Sequence, residues 1–458
     1  GLAVVGVAYL VATFDPNDYK AKIIQAVKET KQRTLHLDGD IKLSFFPNIG
    51  ANLSKVSLSE FNGDKEFAAI ESARVSLAFM PLLSKQVVVD EVSVSGLQAT
   101  LIKRKDGTTN IDDLLSNDGK PANPQDAQQV QFNIASVSVA KTHLTYRDEL
   151  SGAQYAIKNL ALKTGRIANG LTSPIDLSMG VQANQPKLDF TTQLKTKLTF
   201  DLDKQQYRLQ DMNFQLAGTA LDMSDLKLQA SGDASADLAK SEFGAQKFTL
   251  NASGDKAKEK FEAKLDIPSL SMTEDNYAGE KIVLNANMQG AIGNIIAKLN
   301  MPKLEGNAQS FKIGALTLDL DVKQVEQAFK IKTSGQVSGN FKTQQFNLNG
   351  LSVALNATGD KLPNKSVSSE MKGDVQIDAL KQSVQANFSG GLLQSQTKAK
   401  IGVSNFAQPA IKFDVELDKL DADLYMPKST AAASPKSTEP ESSLDLSGFR
   451  KLNIDGRL

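Results

Sequence analysis

The stretch L-H-L-D-G-D-I-K-L-S-F at 35–45 alternates. Leu35, Leu37, Ile41, Leu43 and Phe45 fall on one face, and His36, Asp38, Asp40, Lys42 and Ser44 on the other. A period of two predicts a half-buried β-strand. The pattern returns along most of the chain. Val56 and Leu58 continue it, and V-V-V-D-E-V-S-V-S-G at 87–96 carries Val92 and Val94 with a double phase slip that predicts a bend or bulge. Ile282, Leu284 and Met288 share a face, as do Leu316, Leu318, Leu320 and Val322 opposite Thr317, Asp319 and Asp321. Phe346 and Leu348 change phase at Gly350 into Leu351, Val353 and Leu355, and Ile411, Phe413, Val415 and Leu417 alternate with Lys412, Asp414, Glu416 and Asp418. G-D, S-G-D and N-G pairs between these runs predict turns. K-D-G-T-T-N at 105–110 predicts a turn around Asp106-Gly107, with Asn110 capping the helical turn that follows. With about 12–15 residues per strand and turn, residues 34–426 hold about 25–30 strands.

Two segments read as helix. Residues 17–31 place Tyr19, Ile23, Ile24 and Val27 on one stripe, with Asp15 and Pro16 as start signals. This helix, within 15–33, is expected to cap the β-structure. Lys20, Lys22 and Lys28 on its other side could meet anionic headgroups. Residues 1–14 carry no charge, and Leu2, Val4, Val5, Val7, Tyr9, Leu10, Val11 and Phe14 make them apolar. Fourteen helical residues span about 21 Å, short of the roughly 30 Å hydrocarbon core. They read as the remnant of a transmembrane anchor; a short buried helix is the alternative. A polar loop is expected near 117–131, a low-complexity linker over 427–443, and the start of a further C-terminal module over 444–458.

Almost no helices separate the strands, so the sheet is expected to be largely antiparallel. Its apolar faces need a cover. Facing sheets could pack into sandwiches. Alternatively, one elongated sheet of about 100 Å could curl into a hydrophobic groove that needs a ligand with apolar tails. The second fits a chain with no Trp and only 6% aromatics, whose inward positions are aliphatic. The pattern by itself leaves both open.

Charge excludes one class of partner. Lys+Arg and Asp+Glu are equal at 52 each, which argues against nucleic acid. The absence of cysteine locates nothing alone. Two histidines, His36 and His143, share no ligand spacing, so no metal site is expected. The pairs Asp201/Asp203, Asp319/Asp321 and Asp421/Asp423 have strand spacing, which puts each on an outer, solvated face. No nucleotide or hydrolase fingerprint occurs, and neither an enzyme nor a cofactor is expected.

F-D-P-N-D-Y-K at 14–20, L-H-L-D-G-D-I-K-L-S-F-F-P-N-I-G at 35–50, V-S-L-S at 56–59, F-M-P-L-L at 79–83, V-V-V-D-E-V-S-V-S-G and K-D-G-T-T-N resemble the N-terminal signature of the AsmA family. The closing S-L-D-L-S-G-F-R-K-L-N-I-D-G resembles the opening of that family's C-terminal conserved region. Two departures stand out. Lys31-Gln32-Arg33 replaces a common Thr-Gly-Arg, removing the glycine that would end the helix, and Ile111 stands where Trp is common. The resemblance implies a Gram-negative inner-membrane protein with one N-terminal anchor and its bulk in the periplasm. It implies similarity to bridge-like lipid transfer proteins, whose β-groove carries phospholipid acyl chains between membranes. A receiving outer-membrane or periplasmic partner would act through the missing C-terminal region. The alternative expectation is a non-enzymatic scaffold of packed sandwiches that regulates outer-membrane protein assembly.

Overall fold

The computed structural model describes residues 15–45, 48–83, 88–115, 133–360, 362–392, 395–419 and 453–457. The expected anchor at 1–14, the polar loop at 117–131 and the linker at 427–443 lie outside them. The chain divides into two compact units, one formed by residues 1–239 with 252–257, the other by 240–251 with 258–458.

The first unit opens with a 3-10 turn over Pro16–Tyr19 and helix α1, Lys20–Lys31. Asp15 caps the start as expected, accepting from the Asn17 N–H at 2.9 Å. Ile24 and Val27 are half-buried, whereas Tyr19 and Ile23 stay exposed. The strands are β1 (Leu35–Leu37), β2 (Lys42–Ser44), β3 (Asn48–Ser59), β4 (Glu66–Ala78), β5 (Val89–Ser95) and β6 (Gln98–Lys103), with short helices α2 (Phe79–Leu83) and α3 (Asp112–Leu115). Then come β7 (Asn133–Asp148), β8 (Gln154–Thr164), β9 (Ile167–Ala168), β10 (Thr172–Asn184), β11 (Lys187–Asp201), β12 (Gln206–Ala220) and β13 (Met223–Asp237). Strand β14 (Glu242–Lys256) contributes to both units. The second unit holds β15 (Glu259–Met272), β16 (Tyr277–Gly290), β17 (Gly293–Gly306), β18 (Phe311–Lys323), β19 (Gln327–Asn340), β20 (Gln345–Gly359), β21 (Ser366–Asp378), β22 (Ser383–Leu392), β23 (Ser395–Ser404), β24 (Ala410–Leu417) and β25 (Asn453–Arg457).

Pairing is antiparallel between sequential neighbours over β10–β13 and over β15–β24. Among the described residues three pairings are parallel. Strands β5 and β6 lie in line between β4 and β7, both parallel to β7, and β25 adds to β24 in parallel.

The expected single strand over 35–45 is two strands, β1 and β2, both paired with β3. Between them Ile41 is buried, its N–H donating to Asn17 Oδ1 at 2.9 Å and its carbonyl accepting from Asn17 Nδ2 at 3.2 Å. Phe45 lies just past β2. The break sits opposite Lys55, which has a φ of 49° and whose carbonyl accepts the Asp38 N–H at 3.1 Å. The expected slip in 87–96 is also a bulge: Ser76 pairs with Glu91 and Leu77 with Val89, leaving Asp90 extra.

Asn62-Gly63-Asp64 stands in the turn between β3 and β4 and Asn169-Gly170 in the turn between β9 and β10, as expected, but other G-D and N-G pairs are not turns. Gly232-Asp233 lies inside β13, Gly373-Asp374 inside β21 and Asn349-Gly350 inside β20. There they serve bulges. A bulged residue has an N–H that the ladder leaves unpaired. Asp233 accepts the N–H of bulged Asp211, and Asp374 that of bulged Gly350, both at 2.8 Å. Several true turns instead begin with Asp or Asn. Asp201, Asn340 and Asp378 accept from the N–H of Lys204, Thr343 and Lys381, and each turn ends in a left-handed Gln205, Gln344 or Gln382.

Candidate functional site

Cross-strand register gathers the alternating apolar positions into continuous rows. In the first unit one row runs Leu53–Ala73–Val94–Val139–Leu162–Leu177–Leu194–Phe214–Ala230 over nine strands. Leu35 and Leu37 pair with Leu58 and Val56, Leu43 with Ala51, and Val92 joins Val75 to Val137. In the second unit one row runs Phe261–Met288–Ile295–Val322–Phe329–Ala357–Val367 and another Leu265–Leu284–Leu299–Leu318–Thr333–Val353–Met371. Leu320 pairs with Ile331 and Ile331 with Leu355, Ile282 lies beside Met301, and Leu316 beside Gly335. Leu348, Val375, Ala386, Ile401 and Phe413 continue toward β24, where Ile411, Val415 and Leu417 meet Val403, Ala399 and Thr397. Of the expected lining residues, only Ile41 and Phe45 stand outside strands.

These rows are not a dry core. In the first unit's nine-strand row every side chain but Ala230 is half-buried; the flanking Arg74, Asp176, Lys195 and Gln215 are exposed, whereas Asn52, Ser93 and Ser138 are themselves half-buried. A sandwich would cover such positions from a second sheet. Among the described residues eleven apolar residues are buried, and five of those are alanines. The opposite face carries a charge ladder, with Asp319 between Lys298 and Lys332. Asp201/Asp203 departs from the expected outer-face pair: Asp201 ends β11 and Asp203 stands in the turn. Asp421 and Asp423 lie outside the described residues.

One part of the second unit is closed. Leu304, Phe311 and Ile313 form a buried cluster against Leu270, Tyr277, Met301, Leu316, Val337 and Phe346. Phe341, from the turn between β19 and β20, stacks on Phe311 with ring centroids 4.5 Å apart and meets Phe346 edge-on at 5.8 Å. Sequence reasoning missed this cluster, because Gly306 and Gly339 interrupt its row. Gly339 is what makes room: a Cβ there would stand 2.6 Å from the Phe346 ring and 2.9 Å from that of Phe311.

The N-terminal signature builds a second assembly that sequence reasoning also missed. Arg33, with no exposed surface, donates from Nε and Nη2 to both Asp113 oxygens at 2.6 Å, from Nη1 to the Ser59 carbonyl and from Nη2 to the Asn110 carbonyl. Its guanidinium lies 4.9 Å from the centre of the Phe67 ring. Donation from Arg33 holds the Asp113 carboxyl below its ordinary range. Asn110 does not cap α3. Its side chain donates to Glu60 and the Thr100 carbonyl and accepts the Ile102 N–H, while Thr109 and Asp112 bond at the helix start. This assembly closes the helix onto the first strands.

His36 is exposed, and His143 Nδ1 meets the Lys141 carbonyl at 3.1 Å. Among the described residues no three His, Cys, Asp or Glu side chains gather as a metal site, and no helix is long and apolar enough to cross a membrane.

No solved structure matches the chain. "Protein AsmA" of Escherichia coli (strain K12) is 25% identical over 161 residues, which is 35% of this chain and 26% of that protein. The family model described as the AsmA family matches residues 2–448, nearly the whole length over which the rows and the Arg33 assembly are built, and the chain belongs to that family.

Proposed function

We propose that the apolar rows carry the acyl chains of phospholipids between the inner and outer membranes, with the headgroups at the open side. The observation that carries this reading is the nine-strand row from Leu53 to Ala230, aliphatic for most of its length and half-open rather than sealed. An apolar surface of that continuity in water calls for an apolar ligand. Membership of the AsmA family suggests a role at the cell envelope. An inner-membrane anchor at 1–14 and a receiving partner beyond the C-terminal strand belong to the same proposal. Movement would be passive sliding, without enzymatic chemistry.

The test is lipid mass spectrometry on the full chain purified without detergent, with a photo-crosslinking residue at Leu318 or the outward Asp319. Phospholipid attached at Leu318 and not at Asp319 supports the conduit. A stable, lipid-free protein overturns it in favour of a contact scaffold.

A further inference from the structure

The apolar face of the second unit divides along a line of left-handed residues, two of which stand at register shifts. Lys281 in β16 and Ala315 in β18 have φ of 52°, and Gly350 in β20 has 57°. Pairing skips at each of them: Glu280/Ile282 on β16, Ile313/Leu316 on β18 and Leu348/Leu351 on β20. On one side of this line lie Tyr277, Leu304, Phe311, Ile313, Val337 and Phe346, packed on one another. On the other lie Ile282, Leu284, Leu318, Leu320, Val322 and Val353, half-buried and outside that cluster. Strand β18 shows both states along one face, with Phe311 at 5% exposure and Leu318 half-buried.

Phe341 covers the closed side. It projects from a turn fixed at three points: Asn340 Oδ1 accepts from the Lys342 and Thr343 N–H groups, and the Phe341 N–H donates to the Ala308 carbonyl at 2.9 Å. The ring lies over Phe311 yet remains 48% exposed. It meets the rings of Tyr277, Phe311 and Phe346 and leaves the rest of its surface open. A ring held in that way fills the space a ligand chain would otherwise take.

We propose that Phe341 is a specificity-determining residue that closes the Phe311 lane, so that acyl chains run only in the lane of Leu318 and Val353. The proposal rests on the conduit reading and adds where in the second unit the chains travel. The line of left-handed residues is the boundary, and the aromatic cluster is the wall.

The experiment places a photo-crosslinking residue in the full chain at Thr333 in the open lane, at Val337 in the closed lane of the same strand, or at outward Lys332. Vesicles of phosphatidylethanolamine and phosphatidylglycerol supply the lipid. Label is expected at Thr333 and not at Val337 or Lys332. Phe341→Ala should raise labelling at Val337 to that of Thr333, and Phe341→Trp should return it to the Lys332 level. Circular dichroism melts confirm that each variant is folded. Equal label at Thr333 and Val337 with Phe341 intact overturns the lane proposal and leaves the conduit standing. So does a folded Phe341→Ala chain with Val337 still unlabelled. No label at either inward position overturns the conduit, and the lane with it.

Discussion

Arg33 holds the first unit's opening elements with a charge that has no access to water. Its bonds reach two separate segments, Ser59 at the end of β3 and Asn110 with Asp113 around α3. Removing the counter-charge leaves the guanidinium buried and unpaired, which costs about 3–5 kcal/mol. Asp113→Asn should therefore lower the unfolding free energy obtained from urea titration by that amount, and a smaller loss would show that the pair opens to solvent. The pH dependence has a definite sign. The folded Asp113 carboxyl titrates below its ordinary value, so its stabilisation is complete above the carboxylate range. It is lost as pH falls through the folded value. Asp113→Asn should flatten that part of the acid limb in urea titrations. Next to it, Gln32 ends α1 with φ 53°, the left-handed conformation. Gln32→Gly should stabilise by about 1 kcal/mol, read as a rise in melting temperature. The place of the missing helix-ending glycine was legible in the sequence. The Arg33 assembly was not, because its partners lie 26 to 80 residues away and no local period marks them.

Strands and their ends obey different rules. Period two identified the strands because one side of each faces water, and it located the Gly350 slip. It misjudged some of the ends. Asp233 and Asp374 look like turn residues, but each satisfies a bulge on the neighbouring strand. Asp374→Ala should speed hydrogen exchange of the Gly350 amide while leaving the Leu355 amide slow, which nuclear magnetic resonance can read residue by residue. True two-residue turns carry residues poorly suited to them. Leu221 and Asp222 have φ of 52° and 61°, a geometry that favours Asn-Gly. Replacing Leu221-Asp222 by Asn-Gly should gain about 1–2 kcal/mol in urea unfolding at an unchanged slope. No gain would mean that the exposed Leu221 makes up the difference through contacts in the fold.

Across the molecule, the same apolar alternation has two fates, and substitution separates them. Charge balance and composition are those of an ordinary folded protein, so neither can say which fate a given position meets. Depth decides. Phe311 is packed on all sides by its own chain, and Leu318, on the same strand and face, is not. A carboxylate at Phe311 loses a buried ring and strands a charge, at a cost of about 5 kcal/mol or more. A carboxylate at Leu318 or Val353 keeps access to water and loses only part of one side chain's burial, about 1 kcal/mol. Phe311→Asp should thus unfold the second unit, whereas Leu318→Asp and Val353→Asp should melt within a few degrees of the parent chain. In a groove the cost of those two charges falls on the ligand instead. An acyl chain sliding past must cross an ionised group, so transfer of a fluorescent phospholipid between donor and acceptor vesicles should fall to background in both variants. If Leu318→Asp unfolds as Phe311→Asp does, the rows bury one another and carry nothing. If it folds and transfers lipid at the parent rate, the track lies elsewhere on the sheet.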